Sequence, residues 1–214
     1  MELPIALKLK RKAHKKIAYA QDLIVEALYK IFQKAVLHGG TSIWRCYDGN
    51  RFSEDIDVYI ERDVKKIETF FKNIEEKGFK IIKKRIKQNS IYSVLILDRV
   101  EVRFEAIFKK IKNPILKEYS TSDGLLVNIY TLNAAALVKE KIETYLKRRK
   151  IRDLYDIFFL LRYIKEKKQI KNELNMLIKN FRSSLDKEIL KTLIIQGIVA
   201  SEKNMLEYIK KWVR

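Results

Sequence analysis

His38-Gly39-Gly40-Thr41-Ser42, followed by Ser53-Glu54-Asp55-Ile56-Asp57-Val58-Tyr59-Ile60, is the stretch whose reading decides the fold. Paired glycines place no side chain between backbone and ligand, so their N–H groups can approach a phosphate closely. In the second segment Ile56, Val58 and Ile60 alternate with Asp55, Asp57 and Tyr59, the period of a strand. Two residues apart on a strand, the Asp55 and Asp57 carboxylates share one face, with Cα atoms roughly 6.5–7 Å apart. Such a pair suits one or two Mg2+ ions, which take oxygen ligands and substrate phosphates. A phosphate cradle beside a divalent-metal pair is equipment for moving a phosphoryl or nucleotidyl group. Each feature alone is weak, because most Gly-Gly pairs are turns and alternating acids often mark a solvated strand face. Together they carry weight: only 6 glycines occur in 214 residues, and two stand side by side after Ala35-Val36-Leu37. The P-loop pattern G-x-x-x-x-G-K-[ST] is absent, which argues against an ordinary ATPase core.

The rest of the composition narrows the setting. At 214 residues the chain can bury one or two closely packed domains. With 47% hydrophobic and 34% charged residues it is expected to be globular rather than disordered. It carries no apolar run long enough to span a membrane and no signal-peptide pattern, so a cytoplasmic location and no membrane partner are expected. The single cysteine, Cys46, cannot form an internal disulfide, and no Cys/His cluster suggests zinc. Lys and Arg number 46 against 27 Asp and Glu, a formal net charge of +19. The Lys/Glu enrichment of heat-adapted proteins would raise Glu as well, so it leaves this excess unexplained. A surplus of this size favours a polyanionic partner, nucleic acid ahead of an acidic membrane. RNA-recognition aromatics and zinc-finger spacing are absent, so binding should be mostly through the backbone.

Along the chain, the spacing predicts a helix over 8–33, a short strand over 35–37 and a brief helix over 41–47 with Thr41 as N-cap. A strand over 55–60, a helix over 64–77 ended by Gly78, and strands over 79–87, 91–97 and 100–108 follow, the last two joined by Asp98-Arg99. The connection from Lys109 to Gly124 reads as surface loop, and 125–130 as a short edge strand. From Asn133 the period turns helical, with helices near 133–147, 152–166, 169–181, 185–197 and 202–213. An α/β front half before an all-helical back half suggests lobes over 1–130 and 131–214.

Two further blocks bear on chemistry. In Val100-Glu101-Val102-Arg103-Phe104-Glu105-Ala106 the apolar residues share one face, and Glu101, Arg103 and Glu105 share the other. Either glutamate can supply a third acid; the plain alternative is a solvated face with a cross-strand Arg–Glu pair. In the block Glu140–Asp156, one continuous helix would place Arg148 and Arg152 each within about 20° of Lys141 at 100° per residue. A turn near Arg149-Lys150 instead brings two helix ends together around the same cluster. A triphosphate needs such cations, Lys141 for its β- and γ-phosphates and Arg148 or Arg152 as a bidentate clamp. Asp153 can orient these cations, while both Asp153 and Asp156 also suit a plain helix start. Ser53 can touch a phosphate or serve a turn, while His14, His38 and Cys46 read as solvated or packing residues.

Gly-Gly-[Ser/Thr], a short helix and Asp-x-Asp on the next strand form the pattern of DNA polymerase β-like nucleotidyltransferases. The wording HGGTSIWRCYDGNRFSEDIDVYI most resembles their AbiEii-type branch, the abortive-infection, type IV toxins. Arg51, Ser53, Asp55 and Asp57 fill that branch's Arg-x-Ser-x-Asp-[Ile/Leu/Val]-Asp pattern. Lys141, Arg148, Arg152, Asp153 and Asp156 fill its Glu-Lys-x6-Arg-x3-Arg-Asp-x-x-Asp pattern without a gap, while His38 departs from the residue often found before the glycines. The resemblance spans nearly the whole chain and implies an α+β fold, a polymerase β-like nucleotidyltransferase lobe with a mixed sheet flanked by helices, then an all-helical C-terminal lobe. It implies catalytic roles for Asp55, Asp57, Glu105, Lys141 and Asp153, with Asp55, Asp57 and Glu105 as metal ligands. NTP binding would fall to Gly39, Gly40, Thr41, Ser42, Arg51, Ser53, Lys141, Arg148 and Arg152. The expected activity is Mg2+-dependent transfer of an NMP from an NTP to an acceptor hydroxyl, the 3′ end of tRNA, by the toxin of a toxin–antitoxin pair. A cognate antitoxin is the expected protein partner. A protein or small-molecule acceptor, or a basic nucleic-acid-binding protein with a degenerate site, are the alternatives.

Overall fold

The computed structural model describes residues 4–214; the first three residues of the expected front lobe lie outside the described residues. The chain forms two compact units, Met1–Asp48 with Phe52–Thr131, and Gly49–Arg51 with Leu132–Arg214.

The first unit opens with α1 (Ile5–Lys8) and α2 (Lys12–Ile31), whose Ala20, Ile24, Ala27 and Leu28 are buried at helical spacing. Then follow β1 (Val36–His38), α3 (Gly39–Cys46), β2 (Ile56–Ile60) and α4 (Val64–Glu76). The Asp63 carboxylate caps α4 by accepting the Lys66 N–H at 3.0 Å, and Gly78, at φ +89°, turns the chain out of that helix. The strands β3 (Lys80–Ile86), β4 (Ser90–Leu97), β5 (Val100–Phe108), β6 (Ile115–Ser120) and β7 (Leu126–Thr131) complete a seven-stranded mixed sheet in the order β3-β4-β5-β2-β1-β7-β6. Asp98 and Arg99, both at positive φ, form the two-residue turn between β4 and β5, as a tight hairpin requires. The covered face of β4 and β5 carries Ile91, Leu95, Val102, Phe104 and Ala106, with Phe70 of α4 packed on Phe104 at 4.8 Å. On the opposite face of β5, Glu101, Glu105 and Ile107 are exposed, so that side of the sheet is open.

Three expectations are corrected here. Helix α3 begins at Gly39 with His38 as its cap, not with Thr41. The stretch from Lys109 to Gly124 is not all loop, for it contains β6, in which only Tyr119 is buried and the usual alternation is too weak to read. And β7 is no edge strand: it lies between β1 and β6, parallel to β1 through Val36↔Tyr130 and Leu37↔Thr131. A buried arginine, unannounced by any motif, ties this unit together. Arg45 donates to the Ala18 carbonyl at 2.9 Å, the Ser120 carbonyl at 3.0 Å and the Asp22 carboxylate at 3.0 Å, beside the rings of Trp44 and Tyr119.

The second unit is helical: α5 (Ala134–Arg148), α6 (Ile151–Leu160), α7 (Lys171–Lys179), α8 (Leu190–Leu193) and α9 (Glu202–Val213). Leu137, Ile142, Tyr145, Leu154, Ile157, Leu174, Leu177, Met205 and Ile209 fill its core. The helix expected near 185–197 shrinks to a 3-10 turn at Lys187–Ile189 and the single turn of α8. Gly49–Arg51 joins this unit through an Arg51↔Ile194 bridge and the Ile195 N–H donated to the Asn50 carbonyl at 2.8 Å. Glu202 pins the start of α9, accepting from the Ser183 hydroxyl at 2.6 Å, the Ser184 N–H at 2.5 Å and Lys187 at 2.7 Å. Burial pushes its carboxyl up, but these donors outweigh burial and hold it at about 2. A depressed folded value stabilises fully above the unfolded value of about 4.3, and the gain disappears as pH falls toward the folded one. Glu202→Gln is therefore expected to cost about 1–3 kcal/mol at pH 7 and almost nothing near pH 2, measured by urea midpoints across that range.

Candidate active site

In the first unit, β1 runs directly into the N-terminus of α3, so the chain passes from strand to helix at the glycine pair. Gly39 sits at φ +70°, a conformation that side chains disfavour, and a Cβ there would drive into the Asp57 carboxylate. Glycine is thus required twice over, by backbone shape and by the closeness of Asp57. As the first three residues of a helix capped by His38, Gly39, Gly40 and Thr41 have N–H groups for which the helix provides no acceptor, at its positive dipole end. The hydroxyls of Thr41 and Ser42 are buried in the scaffold. Thr41 donates to the Asp55 carbonyl, and Ser42 pairs with the Thr131 hydroxyl at 2.6 Å. Ser53 is also nearly enclosed, its carbonyl accepting from Gln21 at 2.9 Å.

The carboxylates are ordered by sheet register. Asp57 stands opposite His38 on one side and opposite Glu105 on the other. Cross-strand partners present their side chains on the same face, so Glu105 adjoins Asp57 directly. Glu101 lies four residues back along β5, roughly 13 Å away at strand rise, opposite Ile96. Asp55 immediately precedes β2 and is held by Arg103, whose Nε and Nη2 donate to its two oxygens at 2.7 and 2.8 Å. Burial lowers the Arg103 guanidinium's affinity for its proton, but Asp55 more than restores it and holds the value above the ordinary range. The Arg103–Asp55 fork is a positioning contact that strand alternation alone could not assign. Among the described residues no three Asp, Glu, His or Cys side chains converge on a metal-binding point. Mg2+ is characteristically held by one or two carboxylates together with substrate phosphates, so the hard oxygen donors of Asp55 and Asp57 beside a glycine fit that ion.

In the second unit the basic cluster assembles at the break between α5 and α6, where Arg149 adopts the left-handed conformation at φ +49°. Lys141 reaches the Asp156 carboxylate at 2.7 Å and Asp153 at 3.5 Å. Arg148 forks onto Asp153 with two 2.8 Å bonds, and Arg51 forks onto Asp156 at 2.8 and 2.9 Å. Arg51, Lys141, Asp153 and Asp156 are all buried, while Arg148 and Arg152 remain partly exposed. Burial pushes the Asp156 carboxyl up, but Arg51 and Lys141 outweigh it and hold it below the ordinary carboxylate range. Arg51 thus serves a buried ion network rather than presenting its guanidinium to solvent. Its partner Asp156 lies 105 positions away, outside the reach of any local pattern. The remaining weak candidates have structural settings: His14 stacks on Phe52 at 3.9 Å, His38 stacks on Tyr59 at 4.0 Å, and burial pushes the Cys46 thiol up to about 12.

The chain resembles MenT4, a nucleotidyltransferase toxin from Mycobacterium tuberculosis H37Rv, with a TM-score of 0.65 at 17% identity over 98% of this chain and 86% of that one. It resembles JHP933 from Helicobacter pylori with a TM-score of 0.63 at 17% identity, over 96% of this chain and 93% of that one. The antibiotic-resistance factor ANT(2'')-Ia shares the fold more loosely, with a TM-score of 0.51 at 8% identity over 77% of this chain and 92% of the other. No curated protein sequence matches the chain. The family model described as "Nucleotidyl transferase AbiEii toxin, Type IV TA system" matches residues 23–207. Both the seven-stranded α+β unit with its Gly39–Asp57 pair and the span of that match lead to one assignment: the chain belongs to the AbiEii nucleotidyltransferase toxin family of type IV toxin–antitoxin systems.

Proposed function

We propose that this nucleotidyltransferase moves an NMP from an NTP to the 3′ hydroxyl of an RNA, with tRNA as the acceptor and Mg2+ as the cofactor. The observation that carries the reading is the register Asp57↔Glu105 beside a glycine at which a Cβ would meet the Asp57 carboxylate. The net charge of +19 supports a polyanionic acceptor over a small molecule. Asp55 and Asp57 would hold the metal, with Glu105 as the third acid. When bound, the ion would supply charge stabilisation at the phosphates and a lowered pKa for the attacking hydroxyl. The N–H groups at the start of α3 are suited to hold phosphate oxygens, and the unit-two cations Lys141, Arg148 and Arg152 are the proposed phosphate ligands among the helices. Asp153 would orient Lys141 and Arg148, which it already contacts. The acceptor oxygen forms a bond to the α-phosphorus, the α–β bridging bond breaks, pyrophosphate leaves with its electron pair, and the hydroxyl proton passes to water. A cognate antitoxin, encoded beside the toxin, is the proposed protein partner, and the cytoplasm its place of action.

The test is to offer purified protein each of four α-labelled NTPs with Mg2+ and total RNA, beside an Asp55→Ala/Asp57→Ala control. Label entering tRNA-sized RNA, and lost in the control, is the expected result. Label on protein, or none on any acceptor despite confirmed folding, would overturn the RNA reading. Gly39→Ala gives a sharper check of the cradle. The methyl group and positive φ should cost about 1–3 kcal/mol of stability. Displacing Asp57 should also lower transfer by about a hundredfold or more, measured as single-turnover rate.

A further inference from the structure

The open face of β3, β4 and β5 carries a cationic strip that ends at the carboxylates. Asp57 stands opposite Glu105, Glu105 opposite Tyr92, and Tyr92 opposite Arg85. One row of same-face side chains therefore crosses the first unit from Asp57 to the sheet edge, about 14 Å over three strand spacings. A β-bulge creates this row. Ile81 pairs with the buried Leu95, so regular alternation would turn Lys83, Arg85 and Lys87 toward the covered face. The register shifts between Ile81 and Lys83, so Lys83 pairs with Val94 and Arg85 with Tyr92. The side chains confirm the new phase. Lys84 turns to the covered face, its ammonium 4.9 Å from the Phe71 ring, while Lys83 stands 5.1 Å over the Tyr92 ring.

Lys83, Arg85 and Lys87 line a shallow depression of about 310 Å³ with Ser90 and Tyr92. All three cations are exposed, and none of them forms an ion pair among the described residues. Lysines on an edge strand also guard against edge-to-edge aggregation, but that task needs no particular face. Bulges commonly re-aim side chains beside active sites, and here the re-aimed residues join the row that holds Glu105 and Asp57. The glycine cradle lies on the β1 side of Asp57 and the strip on the β5 side, so donor and acceptor would reach the carboxylates from opposite directions.

We propose that Lys83, Arg85 and Lys87 form the docking track for the sugar–phosphate backbone of the RNA acceptor, with Tyr92 as a stacking ring, and that the row delivers the 3′ end to Glu105 and Asp57. This rests on the RNA-acceptor reading above. The test compares the full chain with Lys83→Gln/Arg85→Gln/Lys87→Gln and with the charge-conserving Lys83→Arg/Arg85→Lys/Lys87→Arg, using a fluorescent RNA hairpin with a single-stranded 3′ tail. Each lost phosphate contact removes about 0.7 from the slope of log K against log salt, so the glutamine variant should lose about 2 from that slope. Affinity and acceptor KM should worsen about 10- to 100-fold near 0.1 M salt, while the NTP KM and kcat at saturating RNA stay put. The charge-conserving variant should behave as wild type, and Tyr92→Ala should weaken RNA about tenfold where Tyr92→Phe does not. Unchanged salt slope and acceptor KM in the glutamine variant, with its urea midpoint intact, would overturn the track even if wild type modifies RNA. Strip-dependent RNA binding without any transfer would support the track and count against the RNA-transfer reading. A wild-type protein that binds no RNA would overturn both.

Discussion

Asp57→Asn is expected to lower NMP transfer by about a thousandfold or more while leaving the fold in place. Asparagine keeps the shape of the side chain beside Gly39 and the strand pairing to Glu105 and His38. It removes the negative charge proposed to hold a divalent ion and its triphosphate. Metal-held charge stabilisation in such transfers amounts to several kcal/mol, and about 4 kcal/mol corresponds to about three decades of rate. Single-turnover transfer, with a Mg2+ titration and a urea midpoint on the same preparation, separates lost chemistry from lost fold. RNA affinity offers an internal control. Asp57 repels phosphate, so its neutralisation should leave hairpin binding unchanged or slightly tighter while transfer collapses. The register makes a companion prediction about the third acid: Glu105→Gln should follow Asp57→Asn, and Glu101→Gln, opposite Ile96, should stay near wild type. A fast Asp57→Asn variant would remove the carboxylates from the reaction.

What could be seen in the chain beforehand followed physical range. The strand period around Asp55–Ile60 and the glycine pair are local signals, and the structure shows both, with β2 beginning one residue later, at Ile56. The break at Arg149–Lys150, between helices expected over 133–147 and 152–166, is present as the left-handed end of α5. Contacts between distant residues were not. Nothing near Arg51 announces Asp156, nothing near Arg103 announces Asp55, and nothing near Arg45 announces Asp22 and Ser120. An arginine's neighbours in sequence leave its partner open, and only the fold decides whether it meets water, a ligand or a carboxylate. The β6 strand was missed for a related reason: one buried tyrosine among half-exposed residues leaves no period to read. The bulge at Ile82 was invisible too, because it changes which face three lysine-rich positions occupy without changing their identity.

Asp156→Asn should destabilise the helical unit by about 3–5 kcal/mol, the usual result of removing one partner from a buried ion network. The Asp156 carboxylate faces two buried cations, Arg51 through a fork and Lys141 at 2.7 Å, and asparagine leaves their charge enclosed with Asp153 alone nearby. The effect carries a pH signature. Burial raises the Asp156 carboxyl, but Arg51 and Lys141 bring it below its ordinary value, so its stabilisation is complete above about pH 3.9. It should disappear as pH falls through the lower folded value, and the variant should show no such dependence. Hydrogen exchange of the α5 and α6 amides in the full chain reads this unit directly. A third variant separates structure from chemistry. Buried ion networks replaced by apolar residues of similar volume often regain or exceed the original stability, so Arg51→Met/Lys141→Met/Asp156→Leu should recover much of the lost protection. If Lys141 served only packing, transfer would recover with it. The phosphate role proposed for Lys141 requires the opposite outcome: restored exchange protection in α5 and α6, a raised NTP KM, and transfer that does not return.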